Sequence, residues 1–122
     1  MRKRLIILTI LLVSSFVLTA GALAREQCLV SDEQTAAAAI KASSGWFHGI
    51  TVITDGTNSV TISIYDNASA ASGTELIPTW IVTTSSANRA QTYSVSPPVR
   101  TKNGIYVNVT TSGTVTYMVY YE

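Results

Sequence analysis

Apolar and polar residues alternate with period two over much of this chain. Val60, Ile62 and Ile64 lie on one side of a strand whose other side is Thr61, Ser63 and Tyr65. Ile105, Val107 and Val109 oppose Tyr106, Asn108 and Thr110 in the same way. Strict alternation marks a strand with one buried face. From Thr35 onward Thr, Val, Ile and Tyr dominate, and turn clusters punctuate the text at the spacing of an all-β domain. The pattern predicts seven strands, over 35–42, 45–54, 60–66, 76–82, 90–95, 104–110 and 114–121. Two stacked antiparallel sheets, each hiding one apolar face, account for them. The predicted fold is a single antiparallel β-sandwich or jelly-roll-like domain over 35–122.

One segment carries two signals. Ser31 and Gln34 have capping-box spacing, and Ala36 to Ala39 favour a helix. The same stretch then runs through Ile40, Lys41 and Ala42 into Ser43-Ser44-Gly45, which reads as a strand entering a hairpin. Strand is the reading adopted, because the sandwich would otherwise lack its first strand. In an antiparallel fold successive loops fall at alternating ends. Ser43-Ser44, Asn67–Glu75 and Ser96–Asn103 should therefore share one end. Asp55–Ser59, Thr83–Arg89 and Thr111–Gly113 should share the other. The last predicted strand is apolar on both faces near its end, at Tyr117, Met118, Val119, Tyr120 and Tyr121. Either it is central and covered on both faces, or one face meets a partner.

A different pattern occupies the start. Arg2, Lys3 and Arg4 precede a run without charge from Leu5 to Ala24, which ends in Ala22-Leu23-Ala24. A basic head, an apolar run and a small-x-small site form a secretory signal peptide over 1–24, cleaved between Ala24 and Arg25. The run is also long enough to serve as an uncleaved membrane anchor, and only then would a membrane be a partner. Residues 25–34 form a leader to the domain. Export predicts the periplasm, the cell surface or the extracellular space as the location.

Charge sharpens this picture. Without the three leader cations, five basic residues remain against seven acidic ones, a net charge of −2. That excludes the basic face of a nucleic-acid binder. Charged residues make up only 12% of the chain, so its surface must be built largely of Ser, Thr, Asn and Gly. Cys28 is the single cysteine, so no disulfide can form within the chain. It is read as an inert thiol, with an intermolecular disulfide as the sharper alternative.

Candidate chemistry is sparse. His48 is the only histidine, and as a general base it would need a nucleophile and an orienting carboxylate such as Asp55 or Asp66. Asp55 with Asn58, and Asp66 with Asn67 and Glu75, could offer oxygens to calcium. Asp55-Gly56 is more simply a turn, and Asp66-Asn67 a strand exit with side-chain-to-backbone bonding. No catalytic residue, metal or cofactor is assigned. Asn67-Ala68-Ser69 and Asn108-Val109-Thr110 match the glycosylation sequon. The residues singled out for binding or interface roles are Trp46, Trp80, Tyr117, Tyr120 and Tyr121, since exposed aromatics can stack on sugars or meet a second chain.

Several pieces resemble small virion-associated β-sandwich proteins of tailed phages. They are Ile40-Lys41-Ala42-Ser43-Ser44-Gly45 followed by His48-Gly49-Ile50-Thr51-Val52; Ile64-Tyr65-Asp66-Asn67 with Ser69 and Gly73; Pro98-Val99-Arg100; Asn103-Gly104-Ile105-Tyr106-Val107; and Val119-Tyr120-Tyr121. The resemblance implies a jelly-roll-like structural protein that coats or stabilises a particle and carries no enzyme site. The N-terminal leader departs from that pattern. The expectation is a non-enzymatic protein acting by self-association or coating. Its partner would be itself, as a homo-oligomer or lattice, or a capsid or cell-surface protein. The alternative is a secreted module that binds a carbohydrate or a surface.

Overall fold

Strands form where the alternation predicts them; the strand predicted over 35–42 narrows to Ala38–Lys41, and those predicted over 76–82 and 90–95 change length for reasons visible in the backbone. A computed structural model describes residues 27–122; the 1–24 segment and the cleavage-site residues Ala22, Ala24 and Arg25 lie outside the described residues. The elements are β1 (Leu29–Val30), β2 (Ala38–Lys41), β3 (Gly45–Thr54), β4 (Val60–Tyr65), β5 (Trp80–Val82), β6 (Ala90–Thr101), β7 (Ile105–Thr111) and β8 (Val115–Tyr121). They make two four-stranded sheets with orders β1-β8-β3-β6 and β2-β7-β4-β5, and every pairing is antiparallel. No helix occurs among the described residues, so the stretch after Ser31 takes its strand reading at Ala38–Lys41.

The eighth strand, β1, comes from the predicted leader. Two residues are too few to show a period. What places them is β8. Leu29 and Val30 pair with Tyr121 and Tyr120. Ser31 then donates its N–H to the Val119 carbonyl at 2.9 Å, while its hydroxyl accepts the Val119 N–H at 3.0 Å. Gln34 and Tyr117 exchange both backbone bonds, at 2.9 and 2.8 Å. Thus β8 is an internal strand of its sheet, with β3 on its other side.

The strand predicted over 76–82 is only Trp80–Val82. Pro78 has no N–H to give a ladder. The residues before it touch β4 through a Tyr65–Glu75 bridge and a 2.7 Å bond from the Leu76 N–H to the Ile64 carbonyl. In contrast, β6 runs past residue 95 to Thr101. Ala90 to Ser94 pair with Ile53 to Gly49, the ladder breaks over Val95–Pro98, and Val99 to Thr101 pair again with Phe47 to Gly45. Against β8, β3 carries a bulge at His48, since Phe47 and Gly49 face the adjacent Tyr121 and Tyr120. At Gly49 a Cβ would lie 2.5 Å from the Tyr93 carbonyl oxygen, so glycine lets β6 approach this closely.

The core lies between the sheets. Phe47, Ile50, Val52, Tyr117 and Val119 come from the first sheet, and Val60, Ile62, Ile64, Val82, Ile105 and Val107 from the second. Each aliphatic of this set contributes about 1.5–3 kcal/mol relative to exposure. The inward trio Val60, Ile62 and Ile64 is fully buried, as its alternation predicts. One flank is closed by Trp80 of β5 and Tyr93 of β6, whose ring centroids are 5.5 Å apart.

The two sets of loops fall as the antiparallel argument requires. At one end the Asp66 carboxylate accepts the N–H groups of Lys102, Asn103 and Gly104. Gly104 has φ +150°, and a side chain there would run into the Lys41 carbonyl. At the other end Asp55 accepts N–H groups from Thr57, Asn58 and Thr114.

Candidate functional site

With the core spoken for, the functional surface is what the two sheets turn outward. In the first sheet, β8, β3 and β6 set their outward residues in three rows. These are Thr116–Ile53–Ala90, Met118–Thr51–Thr92 and Tyr120–Gly49–Ser94. The Thr51 hydroxyl bonds to the Thr92 hydroxyl at 2.9 Å and to the Tyr120 hydroxyl at 3.1 Å, which ties the middle of the face together. Ile53 is 43% exposed, and the register sets Val30, 52% exposed, beside Tyr120. No residue in the three rows is acidic or basic. In the second sheet the outward rows are Ala39–Tyr106–Tyr65, Asn108–Ser63 and Thr110–Thr61–Ile81, again without charge. Lys41 and Arg100 are the lysine and arginine of the described strands, which hold no acidic residue, and each lies near a strand end. The other acidic and basic residues among the described ones sit in turns, at Glu122, or at Asp32 and Glu33 between β1 and β2.

A cleft of about 320 Å³ opens at one end of this face. Leu29, Ser44, Trp46, Arg100 and Glu122 line it. Trp46 pairs with Arg100 across the β3–β6 ladder and exchanges backbone bonds with Glu122, at 3.0 and 2.9 Å. An indole, a guanidinium and a carboxylate therefore share one rim. Trp46 was legible as a candidate. Arg100 and Glu122 were not, because the β6 break and the β3 bulge bring them beside it and neither has a local signature.

The other candidates separate. Trp80 is half-buried in the flank against Tyr93 and has no part in the cleft. Tyr117 is buried, and its hydroxyl donates to the Ala36 carbonyl at 2.7 Å. Burial, followed by the nearby Tyr106, raises the Tyr117 pKa above the ordinary phenol value. Tyr121 packs partly on the core, with the Lys41 ammonium 5.7 Å from its ring centroid. Tyr120 alone of the three tyrosines faces outward in the middle rows. The double-faced apolar tail thus divides: Tyr117 and Val119 enter the core, while Met118 and Tyr120 are half-buried on a face that no other element of the described chain covers.

His48 meets neither Asp55 nor Asp66. Its Nε2 lies 3.1 Å from Glu122 Oε1 but makes no hydrogen bond to it. Both aspartates serve the backbone. The Asn58 N–H, the Asn58 side chain and the Thr57 N–H hold the Asp55 carboxyl well below the usual carboxylate range, against a smaller opposing effect of desolvation. For Asp66 desolvation pushes upward, but the amides of Asn103, Lys102 and Gly104 and the Lys102 charge outweigh it, and the pKa falls. Asn67 uses its side chain within its own turn, accepting from the Ser69 and Ala70 N–H groups. Asn108 lies within β7. Cys28 is exposed and unpaired. Comparison with protein-family models, curated proteins and solved structures finds no match for this chain.

Proposed function

We propose that this is a non-enzymatic structural protein, exported or at a particle surface, that acts by self-association or coating in the manner of a virion decoration protein. The observation that carries this reading is the uncharged outer face of the first sheet. Its rows hold Ile53, Met118 and Tyr120, with Val30 alongside, and a second copy can bury them without desolvating any ion. The matching lack of charge on the second sheet lets a copy be flanked on both sides. The resemblance to small virion-associated proteins of phages supports a coating role, and the leader, which departs from that pattern, supports export.

Native mass spectrometry at micromolar concentration tests it, with Met118→Lys as the variant. A cation in the middle row should leave the monomer folded by circular dichroism and disperse the assembly. A wild-type protein that is already monomeric at that concentration overturns the proposal.

A second reading rests on the cleft. Trp46 offers a stacking plane, and Arg100 and Glu122 offer polar contacts, a combination suited to a glycan. Retention on a glycan array that disappears in Trp46→Ala would support it. Retention unchanged in that variant would remove the cleft from consideration.

A further inference from the structure

Sheet order leaves β8 with an edge that something must cover. β8 is apolar at every position but Thr116, and bare, an apolar edge is a template for pairing with another chain. The cover is the stretch from Leu29 to Gln34. It holds on through its backbone: two paired residues in β1, the Ser31 bond, and the Gln34–Tyr117 exchange. Side chains add little. Leu29 is 48% exposed and Val30 52%. A segment held this way opens at low cost compared with the core strands.

Its tether has a particular geometry. Gln34 is the last residue bound to the β8 backbone, the Tyr117 hydroxyl of β8 donates to the Ala36 carbonyl at 2.7 Å, and β2, in the opposite sheet, begins at Ala38. Only Thr35, Ala36 and Ala37 cross between the layers, and all three are exposed. Packed sheets stand about 10 Å apart, which three residues just span. This short, exposed connector is tied down by one bond, from the Tyr117 hydroxyl to the Ala36 carbonyl, and straightening it gives up that bond. If it straightens, the seven residues from Cys28 to Gln34 project from the domain by about 23 Å. They then reach the β8 edge of a neighbour and make there the same hydrogen bonds that they make at home. Exchange of an identical element has almost no intrinsic cost beyond the loss of free motion on association.

We propose that residues 28–34 form an exchangeable strand that pairs with β8 of a second copy of this chain and links copies head to tail. The inference deepens the self-association reading and rests on it. Asp32 and Glu33 stay in solvent in either arrangement, and Leu29 and Val30 reach the rim of the neighbour's outer face. Each donor leaves its own β8 edge to be filled by the next copy, so the contact is heterologous and does not close on itself unless the rotation permits a ring.

The lone thiol supplies the test. The register that sets Leu29 opposite Tyr121 sets Cys28 opposite Glu122. In the full chain, Glu122→Cys places two thiols across the β1–β8 pair, and oxidation at high dilution locks the strand onto its own β8. The locked monomer should stay monomeric at concentrations where the reduced form assembles, and reduction should restore assembly. If locked and reduced forms assemble alike, exchange is overturned and self-association by the outer face stands. If neither form assembles, both proposals fall.

Mixing supplies the second arm. Wild-type chain is mixed with Cys28→Ser/Glu122→Cys, and the mixed disulfide is identified by mass. Paired strands hold the thiols at an effective concentration in the mM range, so the bond should form about a thousandfold faster than with a Cys28→Ser/Thr116→Cys control at micromolar protein. Equal rates overturn the proposal. Should Glu122→Cys fail to fold, Cys28→Ser/Val30→Cys as donor and Cys28→Ser/Tyr120→Cys as acceptor probe the neighbouring pair of the same register.

Discussion

The two edges of the first sheet are built on opposite principles. β6 is twelve residues long, pairs with β3 on both sides of its break, and sends Tyr93 inward against Trp80 of the other sheet. β1 has two residues, the same kind of backbone bond, and no side chain in the core. Hydrogen bonds alone add only about 0.5–1.5 kcal/mol each on balance with water. Burial does the rest, so one edge is part of the fold and the other is attached to it.

The comparison can be broken first at what both edges depend on. Ile62→Ala removes a fully buried side chain from the shared interlayer and should cost about 2–5 kcal/mol by urea unfolding. A loss below about 0.5 kcal/mol would mean that the strand register is wrong. Trp80→Ala tests the anchored edge. Because the indole is only partly buried, about 2–3 kcal/mol is expected, somewhat less than for a fully buried aromatic.

Tyr117 tests the strand that carries β1. Tyr117→Phe should cost about 1 kcal/mol at neutral pH through the lost bond to Ala36. Its raised pKa means that the folded state holds the phenolic proton more tightly than the unfolded chain does. That stabilisation is complete below the unfolded value of about 10 and is lost as pH rises above it. An alkaline unfolding slope that is unchanged in Tyr117→Phe would refute this. The two clamping aspartates have the opposite sign. Their lowered values give stability above the unfolded carboxylate value of about 4, lost as pH falls below it. Asp66→Asn should blunt that acid limb. The smallest effect belongs to the attached edge: Leu29→Ala should change stability by less than about 0.5 kcal/mol, and a loss above 1 kcal/mol would show that β1 is anchored after all.

Most of the architecture could be read from alternation. The inward trio of β4, the inward set of β7 and the distribution of loops between the two ends follow from period two and antiparallel connection. Four features were not legible, each for a physical reason. β1 carries no period because it is too short, and it exists because β8 has an edge to fill. The Asp66 partners lie 36 to 38 residues away, so a reading limited to neighbouring backbone saw a turn but not the clamp on the β6–β7 connection. Trp46 and Trp80 looked alike in the sequence. Trp80 sits opposite the inward Ile62 and plugs a flank, while Trp46 sits opposite Arg100 beyond the β3 irregularity and lines a rim. The cleft partners Arg100 and Glu122 emerge only once the ladder irregularities are known.

The placement of charge has a consequence for how copies would respond to their medium. Both broad faces lack acidic and basic residues, and among the described residues these are confined to ends, turns and the β1–β2 connector. Contacts made through the faces would change little with added salt, since there is nothing on them to screen. Contacts made end to end, where Arg100, Lys102, Asp66 and Glu122 gather, would weaken as the Debye length shrinks from about 30 Å at 0.01 M to about 3 Å at 1 M. Ionic strength alone would therefore sort sideways from lengthwise growth.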